Sequence, residues 1–479
     1  MWHCGIDPGP GMLDSAAIDP SRRPAMARRT TSVFARLALV PLLGAAFPAQ
    51  AQDAPDINWQ ADFGLRNYTD DGLFRGQSDA GTYPFFGLAV DGGFALGPGE
   101  IAFDLSGVLD DANGRTSGKI DRLYYRQSTG AVDYLFGFNT ENWGVVESRS
   151  IVNVMNPRDT TDPLARSDLT GTPMLNANIF TDYGTVSAYA LTGFVGPVYG
   201  EQGRTRLRLP VEPDYGNPVY EEGDGRHLDV ALRYSNNFSL GAGALDVSAS
   251  YFNGTDRAAG CTTGDEAVSC TSAVLGAIGP LPPGAPGPDA SSDEFWDWMA
   301  ENATDELVEA VSGIDVPGLS PYHQKIQQVG VTAVYAYEDL QLRFEGTVRE
   351  ASDETSYAAV VGGDYTWNDI TAGGASLTMA VEYLYDDRDE NQPLTLFEDD
   401  VFLGLDYRLN NASDTRFQLG VFHDLSSEAR LYRIEMTTRL NDRMGLSLNA
   451  AKAETDGYND PLSFLRNDGY VELKLSTYF

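Results

Sequence analysis

Between residues 140 and 175 opposite charges crowd together: Glu147 and Arg149, then Arg158 and Asp159, then Asp162, Arg166 and Asp168. Side chains of both signs at this spacing suit one kind of chemistry, the attraction and sorting of ions, as charged rings do at a constriction. The alternative is a solvated loop whose surface ion pairs contribute little. A second set recurs at alternate positions of otherwise apolar segments: Arg343, Arg349, Arg408, Arg416, Arg433, Arg439 and Lys474, interleaved with Glu345, Glu382, Asp406, Glu435 and Glu472. Such a column is either a track for an anionic solute or a lattice of ion pairs that stiffens a wall.

Hydrolytic chemistry finds no support. A nucleophile needs a base beside it, and none of His227, His323 and His423 sits in a Ser–His or Asp–His pattern. His423-Asp424-Leu425-Ser426-Ser427 reads as a loop tip. The acid runs Asp386-Asp387 with Asp389-Glu390, and Glu398-Asp399-Asp400, lack the ligand spacing of a calcium loop. The expectation is therefore no enzyme, no metal and no cofactor. A net charge of −36 excludes a nucleic-acid partner, whose phosphates call for Lys and Arg.

The elements that carry these charges have a period of two. At the C-terminus Val471, Leu473, Leu475, Thr477 and Phe479 alternate with Tyr470, Glu472, Lys474, Ser476 and Tyr478; Leu340 to Arg349 repeats the pattern. The alternation runs for about 9–11 residues, the length of a tilted strand crossing a bilayer, whereas soluble strands average roughly 5–6. Eighteen such segments are expected from 57–68 to 468–479, including 176–182 and 226–235. Their connections alternate between short turns, such as Glu338-Asp339, and long loops, the rhythm of a bacterial barrel. Backbone in lipid has to be paired, so such a sheet closes. At this strand number it encloses an aqueous lumen. The fold class expected is all-β, a transmembrane antiparallel up-and-down barrel of about 18 strands.

The domain organisation follows. Residues 1–25 read as an over-extended start. Residues 26–51 read as a signal peptide, with Arg28-Arg29, an apolar core and Ala49-Gln50-Ala51 before the cleavage point. Residues 52–479 form the barrel, with 140–175 as a candidate inward constriction loop, the third on the long-loop side. Residues 254–322 form an extracellular insertion. There Cys261 and Cys270 are expected to pair in an oxidising compartment. Ser291-Ser292-Asp293-Glu294 opens a helix whose apolar face is Phe295, Trp298, Met299, Leu307, Val308 and Val311. The helix is read as packed over the rim, as a lid, or as a docking site.

The run Trp143-Gly144-Val145-Val146-Glu147-Ser148, followed by Asn156-Pro157-Arg158-Asp159, resembles one in uncharacterised porin-like barrels. The whole architecture is similar to the alginate-export porin family. The resemblance implies a monomeric eighteen-stranded barrel that passes an acidic polysaccharide; the motif covers only about 30 residues and carries no functional residue over. Terminal Phe479 resembles the C-terminal signal read by the barrel assembly machinery. The resulting reading is an outer-membrane channel for a hydrophilic small solute, anionic if the basic column is open. Polysaccharide export is the alternative, and a soluble periplasmic β protein a further one. Lipid, lipopolysaccharide, the assembly machinery and the solute are the expected partners, with the oligomeric state open.

Overall fold

The computed structural model describes residues 55–201, 206, 212–223, 228–264, 267, 268, 270, 292–312, 318–351, 354–388, 392–458 and 460–479. The start segment, the signal peptide, His227, the proline run 280–288, Ser291, Asp389 and Glu390 lie outside the described residues, as do the side chains of Phe295 and Val311.

The barrel strands are β1 (Asp56–Tyr68), β2 (Gly81–Leu96), β3 (Gly99–Leu109), β4 (Ser117–Thr129), β5 (Val132–Asn139), β6 (Thr172–Thr181), β7 (Gly184–Leu191), β9 (Asp229–Leu240) and β10 (Gly243–Thr255). They continue as β13 (Lys325–Tyr337), β14 (Leu340–Ala351), β15 (Glu354–Trp367), β16 (Ser376–Asp386), β17 (Asp399–Arg408), β18 (Arg416–Asp424), β19 (Arg430–Asn441), β20 (Met444–Glu454) and β21 (Tyr470–Tyr478). Each pairs antiparallel with the next, and β1 pairs with β21 from Tyr68↔Tyr470 to Gln60↔Tyr478, so the eighteen-stranded sheet is closed. The amide of Phe479 donates to the Trp59 carbonyl (2.9 Å), which completes the seam. Three short strands, β8 (Val219–Tyr220), β11 (Gly260–Thr262) and β12 (Ser320–His323), form a separate small sheet.

The sheet is inside out. Its exposed face is apolar: Phe63 is 54% exposed, Phe136 62%, Leu342 48% and Val361 51%. Its buried face carries the charges, with Glu345 at 0% and Arg66 at 3%. In a soluble sandwich the apolar rows would face each other in a core. Here they cover the outside of a cylinder, where a charge at mid-bilayer would cost roughly 2–4 kcal/mol.

The insertion between β10 and β13 contains two helices, α1 (Ser292–Asn302) and α2 (Asp305–Val311). The sequence pattern predicts one. Thr304 breaks it: its backbone is extended and its hydroxyl caps α2 by accepting from the Leu307 amide (3.3 Å). Cys261 and Cys270 are bonded (S–S 2.09 Å). Met299 and Val308 pack with Leu73 and Phe74 of the β1–β2 loop and with Tyr458 and Phe464 of the β20–β21 loop. β10 and β13 are the ninth and tenth strands of the eighteen, and those two loops flank the seam between the first and the last. The insertion therefore reaches the far side of the barrel mouth. Arg206, from the β7–β9 connection, makes a similar crossing. It is fully buried, bonds Asp468 (3.0 Å) and donates to the carbonyls of Asp70 and Asn467.

Candidate functional site

Residues 140–171 join β5 to β6, yet they are held by strands across the barrel. Glu345 on β14 accepts from the amides of Val145 (2.6 Å), Val146 (3.2 Å) and Ile151 (3.0 Å), and from Ser150 Oγ (2.9 Å). Glu382 on β16 accepts from the amides of Glu147 and Ser148, both at 2.8 Å. At least four strands separate β14 and β16 from β5 and β6 in either direction. Gly362, the register partner of Glu382 on β15, leaves the room this carboxylate uses: a Cβ there would meet Glu382 Cα at 2.7 Å and Cγ at 2.7 Å.

Apolar residues of the same segment turn to the inner wall. Trp143, Val152, Val154 and Met155 pack with Met174, Tyr189, Leu191, Phe252 and Ile326. Leu164 packs with Val360, Leu384 and Phe422. Complete burial of a side chain of this size stabilises by about 1.5–3 kcal/mol. Asn156 ties the base: its Nδ2 donates to the carbonyls of Asn139 (2.9 Å) and Thr170 (2.8 Å).

A third clasp lies beside the seam. Arg66 bonds Asp162 (2.7 Å) and Glu472 (2.7 Å) and stacks on Tyr470 at 3.6 Å. Burial would raise the Asp162 carboxyl, but Arg66 and Arg115 together hold it below the usual aspartate range. The stabilisation it gives is thus complete above the ordinary aspartate value of about 3.9 and disappears as pH falls through the lower folded value. Protease protection of the 159–168 segment is expected to be constant from neutrality down to about pH 4 and to fall below it. Asp162→Asn should lower protection at neutral pH and remove that acid step; an unchanged step in the variant would refute the assignment.

Most lumen charges are neutralised. Arg343 bonds Glu147 (2.5 Å) and Asp364 (2.8 Å), and Arg349 bonds Asp256 (2.7 Å). Arg408 and Arg416 share Asp406, and Lys474 lies 3.9 Å from Asp62. Asp159 accepts from Thr161 and faces Lys119 at 3.6 Å. Arg439 and Glu435 are exposed on β19. For Arg343, Arg349, Arg408 and Arg416 the ion-pair lattice is the better description.

Four guanidiniums differ. Arg149, Arg158, Arg166 and Arg433 line one cavity of 370 Å³ in the lumen, and none forms an ion pair with a described residue. Arg158 donates to the carbonyls of Ser150 and Ser167, and Arg433 donates to the Leu164 carbonyl (2.6 Å). These acceptors are neutral, so they fix the side chains and leave the charge. Enclosure by the barrel, and then the charges of Arg158, Arg388 and Arg433, lower the Arg149 pKa to about 9, so it stays charged at neutral pH. Of the four, Arg149, Arg158 and Arg433 stand out in the sequence. Arg166 is found there only as one sign of a mixed loop. Nothing in sequence marks the two wall glutamates as acceptors of loop amides.

An apolar exterior around a charged lumen decides the class. The chain is a closed, eighteen-stranded antiparallel β-barrel with its apolar face outward. No protein-family model and no curated protein matches it. Among solved structures it is similar to OpdQ of Pseudomonas aeruginosa, at 11% identity and TM-score 0.41 over 89% of this chain and 96% of that one. OprB of Pseudomonas putida gives 9% and 0.40, over 89% and 94%. A mutant porin of Rh. blastica gives 11% and 0.38, over 89% and 100%. The fold rests on the strand register.

Proposed function

We propose that this protein is an outer-membrane channel for small hydrophilic anions, narrowed by the 140–171 segment and covered at its mouth by the insertion. The segment removed after Ala51 would direct export. The long-loop end then faces outward, toward lipopolysaccharide, and the short turns face the periplasm. One observation carries the sign of the solute. Four arginines that pair with no carboxylate among the described residues, Arg149, Arg158, Arg166 and Arg433, line a single lumen cavity, while the chain as a whole is acidic at −36. Anions are drawn to that cavity because fixed charge at a narrow point filters by sign. A loop packed across the lumen by Trp143, Met155 and Leu164 also disfavours export of a continuous polymer.

The test is the reversal potential of single channels in a potassium chloride gradient. An anion preference is expected, falling by about half or more in Arg149→Gln with Arg433→Gln. Cation preference in the parent protein, unmoved by those substitutions, would overturn the reading.

A further inference from the structure

We infer that the four-arginine cavity is a binding site for one compact organic anion carrying two or three carboxylates, taken up as a unit and not as separate monovalent ions. The inference deepens the channel reading and rests on it for the route by which the anion arrives.

Arg149, Arg158, Arg166 and Arg433 converge on 370 Å³, and like charges so placed repel. The protein relieves this only in part: Lys119, also in the wall, has Asp159 and Asp168 within 3.6 and 3.8 Å, while the four guanidiniums have no such partner among the described residues. A monovalent ion would satisfy one of them. A polycarboxylate satisfies several at once and is matched to the guanidinium fork, which bonds a carboxylate through two parallel N–H groups.

Preorganisation is already present. Arg158 is held by the Ser150 and Ser167 carbonyls, and Arg433 by the Leu164 carbonyl and the face of Phe422 at 5.2 Å. Little side-chain freedom is then lost when the anion arrives. Asp121 and Asp168 also line the cavity, Asp168 beside Lys119, so five cations face two carboxylates; neutral groups complete the wall. Ser148, Asn142 and Asn153 line it beside the arginines, and Phe397 closes one side with Arg149 at 5.8 Å from its ring. Hydroxyls on the solute would meet these amides and the serine. The volume is near the low end of ligand sites, roughly 300–1,000 Å³, which suits one small molecule with some water. The lowered pKa of Arg149, set by burial and then by Arg158, Arg388 and Arg433 against the opposing Asp386, agrees with an excess of positive charge here.

The test uses the mature barrel in detergent micelles, with citrate, succinate and inorganic phosphate as probes in calorimetry, and the same solutes added to single channels conducting chloride. Citrate is expected to bind, to bind more tightly than succinate, and to interrupt the chloride current. Arg149→Gln and Arg433→Gln should each weaken it about tenfold, and Arg408→Gln, whose arginine is paired to Asp406, should not. Because a variant can lose its fold, the parent protein gives a second reading: apparent citrate affinity should fall about tenfold between 0.1 and 1 M potassium chloride. Tighter binding of phosphate than of citrate, or a citrate affinity indifferent to salt, overturns the polycarboxylate assignment. Absence of citrate binding in a barrel that still prefers anions overturns it and leaves the channel reading standing. Citrate binding in a barrel that prefers cations does the reverse.

Discussion

Single channels of the Glu345→Ala, Glu382→Ala variant are expected to carry about two to four times the parent current, with broader noise, because the loop tip loses charge-assisted hydrogen bonds worth roughly 1.5–3 kcal/mol each. The two carboxylates accept six such bonds from residues 145–151. Their loss is not additive, since they act on one segment. The remainder of the loop keeps its anchors. Trp143, Val152, Val154 and Met155 stay packed on the wall, and Asn156 holds the base. The tip should therefore swing while the root stays, which enlarges the passage without clearing it. Glu345→Gln with Glu382→Gln retains the shape but turns one acceptor of each pair into a donor facing amide hydrogens. It should fall between the parent and the alanine variant. Equal conductance in all three would show that the segment does not limit the current.

The second large effect concerns the mouth. Met299→Asp with Val308→Asp places carboxylates where the two helices meet Phe74, Tyr458 and Phe464. Burying an unpaired charge is costly enough that the contact should open instead. Entry of a trisaccharide-sized neutral solute into proteoliposomes is then expected to quicken by about fivefold or more, as it does when a lid no longer closes. Deletion of residues 292–312 should do the same. So should Phe464→Asp, which alters the opposite side of the contact and leaves the helices intact. Agreement of the three separates a cover from a mere effect on the helices; unchanged entry in all three, with the barrel folded, would remove the cover from the mechanism.

The cylinder was legible because period-two alternation is a direct imprint of two unlike surroundings. All eighteen expected segments coincide with barrel strands. The errors lie at ends. The expected strand 226–235 is β9, Asp229–Leu240. Pairing with β10 carries the strand on to Leu240, and the chain reverses at Gly241, whose φ of 62° suits glycine. The expected strand 176–182 begins earlier, at Thr172, because β5 continues to Asn139 opposite it. The site was only half legible. Alternation tells which residues face the lumen, and Arg343, Arg349 and Arg433 were so placed. It does not tell which will find a carboxylate. That depends on where a loop crosses the barrel: Asp256, Glu147 and Asp162 are all contributed by connections, to Arg349, Arg343 and Arg66 respectively. Backbone amides bound by Glu345 and Glu382 leave no mark in sequence, since every residue but proline has one.

The seam between β1 and β21 joins residues 406 positions apart, as in the Arg66–Glu472 bond. Contacts so distant in sequence form late and slowly. Until they form, the nascent sheet has two raw edges at once, Asp56–Tyr68 at one border and Tyr470–Tyr478 at the other. Each would invite pairing with any passing strand, and neither could lie in hydrocarbon unsatisfied. Biogenesis of this protein is thus a problem of shielding: something has to occupy both borders through most of insertion and withdraw as they zip together.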